Sequence, residues 1–278
     1  MVRIVSDTST MYTTKQAQEA GFDVSPLSVT IAGKSYREYD EIMPDRFVEI
    51  IAEGHLPTSS QPAVGEVVSM YEKYPDDEII NITMALGLSG TYTGAVAAAG
   101  LVDHSDNITV LNSRTLCGPH RYLVEKAVQM AKEGLSKDEI VRRTEELMES
   151  AKSYLLPADV GYLRRGGRLS PMVSYVGQAV NLAPVMTQTE DSQQLMIAGV
   201  RRGFVSAVKF VVKALHTREV GKGWRIYVCH GAAPEKAEQA LNILKAEFPE
   251  AHFESYVLTP AFITQGGPSC VSIQIIRE

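Results

Sequence analysis

Ile79-Ile80-Asn81-Ile82-Thr83-Met84, followed by Ala85-Leu86-Gly87-Leu88-Ser89-Gly90-Thr91-Tyr92, decides the fold of this chain. The first six residues are a short apolar run and read as a strand. A Gly/Ser turn follows, and then the small-residue stretch Thr93–Leu101, which reads as a helix. Ile108-Thr109-Val110-Leu111 reads as the next strand. Strand, turn, helix and strand in this order predict a parallel sheet, because parallel neighbours need a crossover that a helix supplies.

The alternation extends both ways. Upstream, Arg3-Ile4-Val5 reads as a strand and Thr14–Ala20 as a helix. Pro26–Ile31 alternates as a strand, and Ala32-Gly33-Lys34 reads as a hairpin turn. Pro44–Ala52 and Ala63–Tyr74 read as helices, with Pro44 suited to a first turn. Downstream, helices are expected near Arg121–Lys132 and Lys137–Ser150. Beyond Pro157 the texture changes. A Gly/Arg loop at Arg164–Arg168 is followed by an expected helix at Pro171–Val180. Strands are expected around Val185 and at Leu195–Ala198, Ile226–Cys229, Phe253–Val257 and Val271–Ile276. Helices are expected at Phe204–Leu215 and Pro234–Ala246. The pattern predicts two α/β domains. Residues 1–157 form a parallel sheet with helices on both faces, and residues 158–278 form a smaller α/β domain.

Composition narrows the function. The chain has 278 residues, of which 45% are hydrophobic and 22% charged, ordinary globular proportions. Its net charge of -6 argues against nucleic acid as a partner. The charge is uneven: residues 1–156 carry a net -9 and residues 157–278 a net +3. The second part concentrates Arg164, Arg165, Arg168, Arg201 and Arg202, which suits an anionic group or an acidic partner. No apolar run reaches the roughly 20 residues needed to cross a bilayer. The N-terminus lacks the long apolar core of a signal peptide, so a cytoplasmic location is expected. Cys117, Cys229 and Cys270 form no CxxC pair, so three reduced, mostly buried thiols are expected, with neither disulfide nor metal.

Three hydroxyl-rich loops are candidates for chemistry: Ser6-Asp7-Thr8-Ser9-Thr10, Pro57-Thr58-Ser59-Ser60-Gln61-Pro62 and Leu88-Ser89-Gly90-Thr91-Tyr92. Each hydroxyl could simply cap a helix. Three such loops at strand ends point instead to a shared oxyanion site, since hydroxyls and helix amides donate to a carboxylate or phosphate without burying a cation. Gly87-Leu88-Ser89-Gly90 lacks the glycine spacing of a hydrolase nucleophile elbow. The six histidines offer no spacing that selects a base, and Gly166-Gly167 and Gly266-Gly267 fit no phosphate-loop pattern.

In order and spacing, these motifs resemble the DegV family nearly end to end. The resemblance rests on Ser6-Asp7-Thr8-Ser9, Ser59-Ser60-Gln61-Pro62, Leu88-Ser89-Gly90-Thr91-Tyr92 and Asn112-Ser113. It continues through Tyr162–Ser170, Ala183-Pro184, Arg202-Gly203 and Gly266-Gly267-Pro268. It implies a protein that binds one long-chain fatty acid, such as palmitate or a C18 acid, in a buried apolar tunnel between and within its domains. It implies that Ser59, Ser60, Ser89 and Thr91 hold the carboxylate, with Gln265 standing where relatives have histidine. It further implies a carrier without catalysis or cofactor, presenting its ligand to a fatty-acid kinase. Arg164, Arg165, Arg168 and Arg202 would then face the partner or phosphate. Gln265 cannot titrate near neutrality, and Ala183 replaces the usual lysine, so kinase presentation is carried over less directly than binding. A phosphosugar or ketone enzyme of related architecture is the alternative, and a monomer is expected.

Overall fold

Strands and helices follow one another along the first part of the chain. They are β1 (Val2–Asp7), a 3-10 turn (Thr8–Thr10), α1 (Thr14–Ala20), β2 (Asp23–Ser25), β3 (Ser28–Ile31), β4 (Lys34–Arg37), α2 (Pro44–Ala52) and β5 (Thr58–Ser60). Then come α3 (Val64–Tyr71), β6 (Glu78–Thr83), α4 (Thr91–Ala99), β7 (Ile108–Asn112), α5 (Cys117–Lys132) and α6 (Lys137–Met148). The caps are local: Thr13 and Gln16 form a reciprocal capping box on α1, Pro44 opens α2, and the Ser136 hydroxyl accepts from Glu139 N on α6. The structure, a computed structural model, describes residues 1–170 and 182–278. The chain divides into two units, Met1–Glu149 with Thr259–Ala261, and Ser150–Leu258 with Phe262–Glu278.

In the first unit, four parallel strands lie in the order β2-β1-β6-β7. Val5 and Ile79 face α3 and α4, packing with Val67, Met70, Tyr71, Ala95 and Ala98. Ser6, of opposite parity, meets His120 of α5. Helices therefore cover both faces, as expected. A second sheet, β4-β3-β5, is antiparallel, and its hairpin turns at Ala32 and Gly33, both at positive φ.

The second unit contains β8 (Lys152–Leu156), α7 (Val160–Gly166), β9 (Leu182–Gln188), β10 (Leu195–Arg202), α8 (Phe204–Thr217) and β11 (Trp224–His230). It continues with α9 (Pro234–Glu247), β12 (His252–Val257), α10 (Pro260–Gly266), whose first residues belong to the first unit, and β13 (Val271–Arg277). Its sheet runs β10-β9-β8-β13-β11-β12, antiparallel except between β11 and β12. One face carries α8 and α9: Ala207, Val208, Val211 and Leu215 recur at helical spacing against Val185, Val228 and Ile273. On the other face Leu163 of α7 packs with Met186.

Three expectations change. The Gly/Arg stretch read as a loop is mostly helix. Asp159 caps α7 through Gly161 N, and Gly167 ends it in the left-handed conformation, so Arg164 and Arg165 occupy its last turn. Cations there suit the negative end of the helix. The Pro57–Pro62 loop contains β5, whose backbone groups are satisfied by pairing with β3. It is thus not at the end of the parallel sheet. Helix α4 begins at Thr91, two residues earlier than expected. The helix expected at Pro171–Val180 lies outside the described residues. Among the described residues no helix is long and apolar enough to cross a membrane, and no cluster of three or more His, Cys, Asp or Glu is placed to hold a metal. The three cysteines are buried and form no disulfide.

Candidate functional site

The order β2-β1-β6-β7 reverses direction between β1 and β6, and in such sheets the crevice beyond the carboxyl ends at that point is where ligands bind. Two of the three hydroxyl-rich loops leave from there. Asp7 ends β1 and ties both strands: Oδ1 accepts from Ser9 N at 2.9 Å and Oδ2 from Met84 N at 3.1 Å. Ser6 Oγ donates to Ile82 O at 2.6 Å, and Ser25 Oγ donates to Ser6 O at 3.3 Å. The loop after β6 is shaped by its neighbour. Asn112 Oδ1, at the end of β7, accepts from Leu86 N at 3.0 Å and Arg114 N at 3.1 Å, while Ala85 N donates to Thr115 O at 2.8 Å.

That loop delivers Ser89 and Thr91 to the start of α4. Ser89 Oγ accepts from Thr91 N at 3.3 Å and lies 2.7 Å from Thr91 Oγ1. Ser89 Oγ therefore takes up the first amide of α4 from just outside the helix, whose N-cap residue is Gly90. The two hydroxyls carry two hydrogens and share one bond, which leaves one hydrogen for an outside acceptor. Ser89 is half-buried and Thr91 buried.

The third loop arrives from the other sheet. Ser59 pairs with Val29 and Ser60 with Ser28, and the chain then turns at Gln61 onto α4. A Cβ on Gly90 would fall 1.8 Å from Gln61 Oε1, and one on Gly94 2.6 Å from Gln61 Nε2. Gln61 thus lies flat on the first turn of α4, in space that exists only because both positions are glycine. This contact brings the Ser59-Ser60-Gln61 motif to the Ser89-Gly90-Thr91 motif. Ser59 is half-buried and Ser60 exposed.

The remaining expected residues lie in the second unit. Gln265, on α10, packs against α7, where a Cβ on Gly166 would fall 1.9 Å from its Oε1. Arg165 stacks over the Tyr162 ring at 4.5 Å, and Arg168 donates to Gly166 O. Arg164 and Arg165 are exposed. Arg202 does not join them. Leu195 N bonds Arg168 O at 2.8 Å, which ties the Arg168 loop to the start of β10. Arg202 is at the other end of that strand, roughly 20 Å away at 3.3 Å per residue. Two surface hollows, of about 420 Å³ beside α5 and about 500 Å³ between α8 and α9, involve none of these residues.

Sequence reasoning missed two buried groups. His120 of α5 has Nδ1 2.7 Å from Ser9 Oγ and Nε2 3.0 Å from Ile82 O. The tautomer that satisfies both partners carries its proton on Nε2. Burial pushes its pKa down, against the pull of Asp7 and Ile82 O, so it is neutral near pH 7. The Ser9–His120 pair has nucleophile–base spacing, but both residues are fully buried and Nε2 is spent on a carbonyl rather than a carboxylate. Glu38 is also fully buried; its carboxylate accepts from Thr8, the Ala261 amide and Thr259. Burial raises its pKa to about 7. Neither carries a local signal: Glu38 sits in the charged stretch Arg37–Glu41, which reads as solvated surface, and His120 is one of six histidines without a distinguishing spacing.

The chain is similar to known proteins over nearly its whole length. A DegV domain-containing protein of Listeria innocua is 30% identical over 277 residues, 98% of this chain and 97% of its own. DegV of Bacillus subtilis, a fatty acid binding protein of known crystal structure, superposes with a TM-score of 0.88 at 26% identity, covering 100% of this chain and 99% of that one. A DegV family protein of Thermus thermophilus, also solved for its fatty acid binding, gives a TM-score of 0.86 at 24% identity, with coverage of 100% and 99%. The family model described as "Uncharacterised protein, DegV family" matches residues 1–278. The chain belongs to the DegV family.

Proposed function

We propose that this chain binds one long-chain fatty acid, its carboxylate held by the hydroxyls of Ser59, Ser60, Ser89 and Thr91. The observation that carries the reading is the seating of Gln61 on Gly90, which joins the two hydroxyl motifs beside the switch point of the parallel sheet. A buried carboxylate needs several donors. Neutral hydroxyls and the first amides of α4 supply them without an ion pair. The acyl chain runs from this grip into an apolar channel. About 14 methylenes at ~0.8 kcal/mol each offer on the order of 11 kcal/mol, much of it offset by lost translation and chain flexibility. The channel thus sets affinity, and the hydroxyls set orientation. For Gln265 a carboxylate-binding role rests on the family resemblance alone.

The chain acts as a cytoplasmic carrier and not as a catalyst, with no cofactor besides its lipid. Arg164, Arg165 and Arg168, at the end of α7, present cations to a kinase or to the phosphate of an acyl phosphate. Arg202 carries that role on the resemblance only. The deciding experiment is mass spectrometry of an organic extract of the purified protein. One fatty acid per chain is expected. Lipid-free protein that also fails to take up labelled palmitate would overturn the reading.

A further inference from the structure

Glu38 follows β4, and its side chain is fully buried. The carboxylate accepts from three directions: the Thr8 hydroxyl, the Ala261 amide at 2.9 Å and the Thr259 hydroxyl. Thr8 Oγ1 in turn accepts from Leu27 N at 3.0 Å. Glu38 and Ala261 are 223 residues apart in the chain, and Thr259–Ala261 is the short stretch in which the chain returns to the first unit. The same stretch opens α10. Pro260 has no amide hydrogen, so the amide of Ala261 is the first donor of that helix that needs a partner outside it.

Among the described residues no cation pairs with the buried carboxylate. The charged group that faces it is Asp7, a like charge at the end of β1. His120 of α5 faces Asp7 in turn and is neutral. Arg37 and Asp40, which flank Glu38 in sequence, are exposed and pair with each other at 3.3 Å. Nothing in Thr259–Ala261 titrates. Burying an unpaired carboxylate costs several kcal/mol, and three converging donors on distant segments are what offset it here.

We infer that Glu38 is a positioning residue whose carboxylate clamps Thr259–Ala261 and so fixes the first turn of α10. The clamp has a defined pH response. Lifting the segment exposes Glu38 to water, where its ordinary value of 4.5 applies, against about 7 when clamped. The clamped form therefore binds the proton more tightly. It is firmest in acid, loosens as pH rises from about 4.5 to about 7, and is level above that.

Hydrogen exchange on the full-length, lipid-stripped protein tests this, with mass readout of the peptide spanning 258–265 and correction for intrinsic rates. Protection of that peptide is expected to fall more than about tenfold between roughly pH 5 and pH 7.5, while peptides from β1 and β6 hold theirs. Glu38→Gln is expected to abolish the pH dependence, and Glu38→Asp to retain it. Equal protection of wild-type 258–265 at both pH values would overturn the clamp, as would pH dependence that survives Glu38→Gln. Should Glu38→Gln fail to fold, the wild-type and Glu38→Asp profiles still decide. Because no lipid is present, failure of the fatty-acid reading leaves this result standing.

Discussion

At the carboxyl ends of β1 and β6, Ser6, Thr8, Ser9 and Thr91 are buried and hydrogen-bonded, whereas at the end of α7 Arg164 and Arg165 stand in solvent. Both regions suit an anion, but by different physics. A hydroxyl is cheap to bury once paired, so paired hydroxyls such as Ser6 and Thr8 can form the dry floor beneath the half-buried Ser89 proposed to meet a carboxylate. A guanidinium keeps its hydration and meets its anion at the surface, where salt screens the attraction. The first arrangement fits a ligand that is enclosed, and the second fits a group that is visited.

The sharpest way to break this contrast is at Ser89. Ser89→Ala removes the hydroxyl that Thr91 pairs with, together with a donor to the carboxylate. Bonds to charged groups contribute about 1.5–3 kcal/mol, so labelled palmitate is expected to bind roughly tenfold or more weakly. The thermal midpoint should move by only a few degrees, because one hydrogen bond to the first amide of α4 is lost, at a cost of about 1 kcal/mol. Unchanged affinity would remove Ser89 from the site. Gly90→Ala tests the joint between the motifs. Its Cβ takes the space of Gln61 Oε1, so Gln61 must swing away. Affinity measured by the same titration should drop several-fold, and Gln61→Ala in the Gly90→Ala background should then cost little more, since the two changes share one contact. The smallest effect on affinity belongs to the other region. Arg164→Ala combined with Arg165→Ala should leave palmitate affinity within about twofold, at a stability cost of about 1–2 kcal/mol from the lost charges at the end of α7 and the lost stacking of Arg165 on Tyr162. A large loss of affinity would mean that the arginines contribute to the enclosed grip, and the distinction between the two regions would collapse.

Two of the candidate loops were legible because they lie at ends of elements. The run Ile79–Met84 followed by Gly/Ser marks a strand end, and Ser6–Thr10 follows another, so both loops read as parts of one site at the edge of the sheet. The Pro57–Pro62 stretch was harder. Its hydroxyls look the same in a loop as in an edge strand, and only pairing with Val29 and Ser28 makes it β5. The arginines were misread as a loop for a related reason. Gly166 and Gly167 look like a turn, but Gly167 is the left-handed stop of a helix that already includes Gly166.

The sequence alone determined the alternation of strand and helix, the parallel first sheet and the hydroxyl composition of its loops, because periodicity and turn chemistry act over a few residues. The tertiary structure alone decided that Gln61 lies on Gly90, that Ser9 meets His120 across 111 positions and that Glu38 reaches Ala261 across 223. Such contacts arise where packing brings distant segments together and a buried polar group must find a partner, and no local pattern in the chain encodes which partner that is.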